Sequence, residues 1–265
     1  MTNSTQLTWI PFLMLLRREI ERFFKVIVQT VVTPFVSSFL YLLVFGVSIG
    51  EKISLSSGTS YLMFLIPGLV MMSALNNAFQ NSSSSIVSGK FSGDLEDWRV
   101  APLSSQQLVW AISLGGLVRG FVVGSITFFT GFVFCYFQEG TVFQIAHPLE
   151  LIFFLCVGSL VFSKIGILVS FWARTFDQLS AFSAFILLPL TYLGGVFFSV
   201  ELLSPFWQTV AKLNPLLYFI NGVRHGMLGF SDVNVATAAV ISSISLIVFH
   251  FAALHSIKKG SFARW

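Results

Sequence analysis

Arg119 and Lys164 each stand inside a long apolar run of this sequence. A charge in hydrocarbon costs at least a few kcal/mol, so such a residue pairs, snorkels to a surface or faces a wet path. All three readings are open for both, and a place on a substrate path is the functional one. The histidines offer less. His250 and His255 are five residues apart, on different sides of any helix, which suits joint metal ligation poorly. His147 precedes Pro148 and His225 follows Arg224, and all four read as interface or packing residues. Cys135 and Cys156 fall within apolar runs, where cysteine acts as a small apolar filler, so neither a disulfide framework nor a metal cluster is expected. The sequence contains no G-x-x-x-x-G-K-[ST], H-E-x-x-H or C-x-x-C. This chain is therefore not expected to hydrolyse ATP itself, and no cofactor is expected on it.

The densest group of charges is Asp94, Glu96, Asp97 and Arg99, interleaved with Leu95, Trp98 and Val100. That pattern predicts a short amphipathic helix, stopped by Pro102, with salt-bridge groups on one side and an apolar anchor on the other. A solvated linker would not need the tryptophan, so the segment reads as a docking surface.

The elements that carry these residues follow from composition. Charged residues are 10% of the 265 positions and hydrophobic ones 55%, against about 25% and 45–50% in soluble domains. The excess must face lipid. Six stretches have the roughly 20 apolar residues that cross a bilayer, at about 26–49, 59–80, 108–137, 148–171, 179–199 and 235–257. The expected fold is all-α, a single membrane domain over 1–265. A net charge of +4, dispersed along the chain, gives no stripe for nucleic acid.

Orientation follows from the basic residues of short loops, which stay in the cytoplasm. An inside N-terminus places ten there: Arg17, Arg18, Arg22, Lys25, Lys90, Arg99, Arg174, Lys258, Lys259 and Arg264. Only Lys52, Lys212 and Arg224 fall outside. Both termini are then cytoplasmic. No removable signal peptide is indicated at the start.

Residues 7–25 are too charged to cross. Leu13, Leu16, Ile20 and Phe24 recur at spacings of three and four, and Glu21 precedes Lys25 by four, which predicts an amphipathic helix along the cytoplasmic interface. Residues 81–107 read as a long cytoplasmic loop. Residues 200–234 are aromatic but interrupted at Asn214-Pro215, which fits two short outer helices or a re-entrant hairpin. Pro34 and Pro189 permit kinks within spans. Gly116, Gly120 and Gly124 repeat every four residues, a smooth stripe for close helix packing.

Several segments, in order, resemble the ABC-2-type permease family: "YLMFLIPG" (61–68), "GDLEDWRVAPLS" (93–104), "GGLVRGFVVG" (115–124), "ARTFDQ" (173–178) and "LLPLTYLGGVFFSVELLSPFWQTVAKLNPLLYFINGVR" (187–224). Many relatives carry proline at the place of Ser199 and one residue before Pro205, so the turn into the outer helices departs from the pattern. The resemblance implies an inner-membrane exporter subunit that pairs with a second copy and with two separate ATPase subunits, which hold ATP and Mg. By the family pattern Asp94, Leu95, Glu96, Asp97, Trp98, Arg99 and Pro102 form the coupling helix, and 7–25 the interfacial elbow helix. The second and fifth spans would line the cavity between copies, with Met71, Asn76, Phe182 and Phe185 as wall residues. The cargo expected is an amphipathic or lipid-linked molecule, among membrane lipids. Two other classes compete: an ion-coupled secondary transporter would carry mid-span acids or inverted repeats, and a membrane lipid enzyme would cluster His, Asp or Glu at one surface.

Overall fold

The computed structural model describes residues 4–50, 59–140 and 144–260. These form helices, with no strand among the described residues. Six of the helical stretches are long and apolar enough to cross a membrane, as the composition requires: Thr30–Ser48, Tyr61–Ser92, Ser105–Glu139, Pro148–Trp172, Phe176–Leu193 and Val235–Lys259.

Helix α1 (Ser4–Phe24) precedes the spans. Leu15, Glu19 and Phe23, four residues apart, are its buried stripe. The stripe named from sequence is offset from it: Leu13 and Phe24 are exposed and Leu16 and Ile20 only half-buried. Trp9, Ile10, Leu13 and Met14 turn outward together. The helix thus has one face for protein and one apolar face left over, as an interfacial helix requires.

Helix α2 (Ile27–Tyr41) continues into wider π-type turns at Leu42–Ile49 and forms the first span. Past Pro34, the Ser38 hydroxyl donates to the Pro34 carbonyl at 2.7 Å.

Helix α3 (Tyr61–Ser92) is the axis of the molecule. At 1.5 Å per residue it is about 48 Å long, well beyond the bilayer core. It starts on Ser60, whose hydroxyl accepts from the Met63 amide, and ends at Gly93, whose φ of +85° only glycine takes without strain. The helix that carries the second span therefore does not end near residue 80. Asn81 to Ser92 continue the helix, and the loop expected over 81–107 shrinks to the turns around one short helix. The run Asn81-Ser82-Ser83 looks solvent-facing in sequence but is buried. Ser82 bonds Ser163, and Ser85 donates to Glu19.

Helix α4 (Asp94–Val100) hangs from Gly93. A capping box between Ser104 and Gln107 then starts helix α5 (Ser105–Glu139). Helix α6 (Pro148–Trp172) follows, with proline at its first position, where no amide is needed. These two long helices enclose α3. The glycine stripe makes this possible: a Cβ on Gly120 would come within 2.8 Å of the Ala74 carbonyl of α3, and one on Gly124 within 3.5 Å of the Ala74 Cβ. From the α6 side, a Cβ on Gly166 would meet the Phe79 carbonyl at 2.6 Å.

The fifth span is built in three pieces: α7 (Phe176–Phe182), a π-type segment at Ser183–Leu187 and α8 (Leu188–Leu193). The widened turns lie next to Pro189, which cannot donate to the residue four before it. The span expected to reach 199 stops at Leu193, where Gly194 and Gly195 turn the chain. Helices α9 (Pro205–Leu213) and α10 (Pro215–Leu228) occupy the stretch between the fifth and sixth spans, divided at Asn214, whose side chain caps α10 by accepting from the Leu216 amide. Helix α11 (Val235–Lys259) is the last span.

The membrane windows differ in enclosure: 83% of that in α3 is buried, against 22% in the first span, 17% in the fifth and 11% in the sixth. The trunk is α3, α5 and α6. The first and fifth spans lean on it and have no extended packing on each other.

Candidate functional site

Because α2 and α7 stay apart, cavities open against α3. The larger, about 740 Å³, is lined by Asn76, Phe79, Gln80, Ser83 and Ser84 of α3, Arg119 of α5, and Phe176, Leu179, Ser180, Ser183, Ala184 and Leu188 of the fifth span, with Val26 at one edge. A second, about 300 Å³, lies between α2 and α3. Thr33, Ser37, Ser38 and Tyr41 face Met72, Ser73, Asn76, Asn77 and Gln80 across it, and Arg119 again closes the wall. Asn76, Gln80 and Arg119 belong to both. The polar residues of α3 that repeat along one helical face (Ser73, Asn76, Asn77, Gln80, Ser83, Ser84) thus face the two cavities.

Arg119 is half-buried, and its Nε donates to Asn77 Oδ1 at 3.3 Å. It lies on the wall of both cavities. Among the described residues no ion pair involves it, and neither cavity is lined by an acidic residue.

Lys164 lies elsewhere. It is fully buried on α6 with its ammonium 4.2 Å from the ring centre of Trp110, and no hydrogen-bond partner of its Nζ is found. The Trp110 ring packs on His250, whose Nε2 meets Gln106 Oε1 at 3.3 Å. The two intramembrane charges therefore do not share a site.

The four wall residues expected from sequence divide. Asn76 lies on both cavities. Phe182 stacks on the cavity residue Phe79, centroids 5.8 Å apart, and Phe185 points outward at 80% exposure. Met71 is fully buried, with its terminal methyl against Gly158 of α6. It faces the trunk, and the neighbouring Met72 lines the second cavity in its place. One residue of helix rotation, about 100°, separates core from cavity.

At the far end of α3 hangs α4. Leu95 and Trp98 are buried in a small core with Leu15, Ile86, Leu108, Ile112 and Ile257. The apolar anchor of this segment is therefore used within the chain and is not offered to a partner. Asp94 pairs with Arg18 of α1 at 3.0 Å, and the Arg18 guanidinium lies 5.7 Å from the Trp98 ring centre. Glu96, Asp97, Val100 and Pro102 face outward, Val100 at 85% exposure; the Arg99 side chain lies outside the described residues. Beside them Glu19 is fully enclosed between α1, α3 and α5, accepting from Ser85 at 2.6 Å and from Arg22 at 3.4 Å. Burial pushes its carboxyl above the ordinary range, with Arg22 and Ser85 acting against that rise. Burial likewise lowers the Arg22 guanidinium.

Sequence reasoning missed three pairings. Lys90 is buried, donating to the Ser170 carbonyl at 2.8 Å. Arg224 is fully buried: it donates to the Gly195 carbonyl at 2.6 Å, lies 3.7 Å from Asp232 and sits over Phe64 at 3.9 Å. His225 Nδ1 meets Glu150 at 2.6 Å while its ring stacks on His147 at 4.8 Å. Gly195 is 29 residues from its partner and Glu150 is 75 away, so no local pattern signals either contact.

A trunk of three helices, two loosely held spans with polar cavities between them and a short charged helix at one end define a membrane permease. The family model for the ABC-2 type transporter matches residues 11–228, and the chain belongs to that family. It is 37% identical over 254 residues to the inner membrane transport permease YadH of Escherichia coli strain K12, covering 96% of this chain and 97% of the relative. It is also similar to nodulation protein J of Rhizobium leguminosarum bv. viciae, 25% identical over 222 residues and 79% of each chain. Nodulation protein J of Neorhizobium galegae is 24% identical over 95% of this chain.

Proposed function

We propose that the chain is the membrane half of an ATP-driven exporter in the bacterial inner membrane. Two copies form the pathway for an amphipathic or lipid-linked cargo, and two separate ATPase subunits bind ATP and Mg on the cytoplasmic side. Membership of the ABC-2 family supports the ATPase partnership, and the likeness to an inner membrane transport permease supports the inner membrane.

The observation that carries the coupling reading is the mounting of α4. Its inward face is fixed by Leu95 and Trp98, while Glu96 and Asp97 remain at the surface. A partner that grips the acidic edge therefore moves α4 as a body. Gly93 joins α4 to α3, and the Asp94–Arg18 pair joins it to α1. Displacement of α4 is then transmitted along a rigid helix whose other residues line both cavities. ATP binding would close the ATPase pair, shift both α4 helices and exchange inward for outward access.

The test is Glu96→Arg in vesicles reconstituted with the native ATPase partner. Transport-coupled ATP hydrolysis should drop severalfold while membrane insertion is unchanged. Undiminished coupling would remove α4 as the docking element.

A further inference from the structure

The two cavities place one cation among many neutral hydrogen-bonding groups. Arg119 closes both of them, and among the described residues their linings contain no carboxylate. Its Nε is engaged by Asn77. A second cation, Arg22, donates to Ser84, which lines the larger cavity. A guanidinium at membrane depth without a counterion is costly. Its fork of donors, and the hydroxyls and amides of Asn76, Gln80, Ser83, Ser180 and Ser183 around it, match the several oxygens of one anionic group.

The same cavities also carry apolar lining: Val26, Phe79, Phe176, Leu179 and Leu188 in the larger, and Leu69 and Met72 in the second. A molecule with its charge at Arg119 can lay hydrocarbon along those residues. A free anion has no use for them.

We propose that Arg119 binds the phosphate headgroup of an anionic lipid or lipid-like cargo, with its acyl chains lying between the first and fifth spans. The assignment rests on the exporter reading for its meaning as a cargo site, but binding itself needs no ATPase.

The experiment uses the full chain, purified and examined by native mass spectrometry with three probes: phosphatidylglycerol, phosphatidylcholine of the same chains, and inorganic phosphate. Phosphatidylglycerol should bind the wild type about tenfold more tightly than phosphatidylcholine. Arg119→Gln should erase that preference and Arg119→Lys should keep most of it. Asn77→Asp places an internal carboxylate against Arg119 while leaving the arginine in position. It should also erase the preference, and it serves where loss of the arginine prevents folding. Equal binding of the two lipids by the wild type, or a preference that survives both Arg119→Gln and Asn77→Asp, overturns the proposal. Inorganic phosphate that displaces phosphatidylglycerol at equal concentration overturns the lipid source in favour of a free anion. Failure here with Glu96→Arg still uncoupling would remove the headgroup site alone, whereas a standing lipid preference with undiminished coupling would remove the docking assignment alone.

Discussion

The hydroxyl of Ser85 donates to the carboxylate of Glu19 at 2.6 Å, joining the helix before the first span to the middle of α3's extension beyond residue 80. The contact is closed on its third side by Gly115 of α5, where a Cβ would come within 2.6 Å of the Glu19 Cβ. Three elements therefore meet at one enclosed acid, close to α4.

Burial raises the Glu19 carboxyl above its ordinary value of about 4.3. The folded state then holds this proton to higher pH than the unfolded chain. Its contribution is complete below the unfolded value and is lost as pH rises through the folded one. Glu19→Gln removes the titration. The thermal midpoint of the variant should fall less than that of the wild type as pH is raised from the carboxylate range toward neutrality, and a parallel fall in both proteins would refute the assignment.

Gly120→Val drives a side chain into the backbone of α3, since the Cβ already meets the Ala74 carbonyl at 2.8 Å. Backbone cannot turn aside as a side chain can. The expected loss is about 1–3 kcal/mol or more, read as a lower unfolding temperature in detergent. An unchanged midpoint would mean that α3 and α5 do not approach so closely.

Trp98 and Glu96 are two residues apart but should separate stability from coupling. Trp98→Ala empties part of the small core around Ile86 and Ile112 and should cost about 3 kcal/mol. Glu96→Arg, at the surface, should alter stability by less than about 0.5 kcal/mol. Equal destabilisation by both would contradict the inward anchoring of α4.

A cysteine at Leu213, exposed at 81% between α9 and α10, should react with a membrane-impermeant thiol reagent added from outside intact cells. A cysteine at Arg224, fully buried, should stay unreactive on either side until the protein is unfolded. Labelling at 213 only after lysis would reverse the orientation drawn from the basic residues.

The six spans were legible because hydropathy over 20 residues is set by lipid, whatever the tertiary contacts. The end of the second was not. Hydropathy scores Asn81, Ser82 and Ser83 as wet, whereas here they serve as small polar contacts between closely packed helices. Met71 was misassigned for a related reason: it and Met72 look equivalent until the rotation of α3 is fixed by the glycines of α5 and α6. The intramembrane position of Arg119 could be read from its surroundings, but its place on a cavity depends on the separation of α2 from α7, which no local pattern encodes. The acidic segment 94–97 announced itself by composition, yet only the fold shows that its tryptophan faces home.

The contrast between the enclosed trunk and the loosely held first and fifth spans also bears on how such a permease can change over time. A substitution in α3 is constrained from several directions at once, by Glu19, by the glycines and by the serine contacts. A substitution at Ser37, Ser180 or Ser183 meets mostly open space. Changes can accumulate on those two spans without unfolding the chain, so relatives sharing one trunk can diverge in the linings of their cavities.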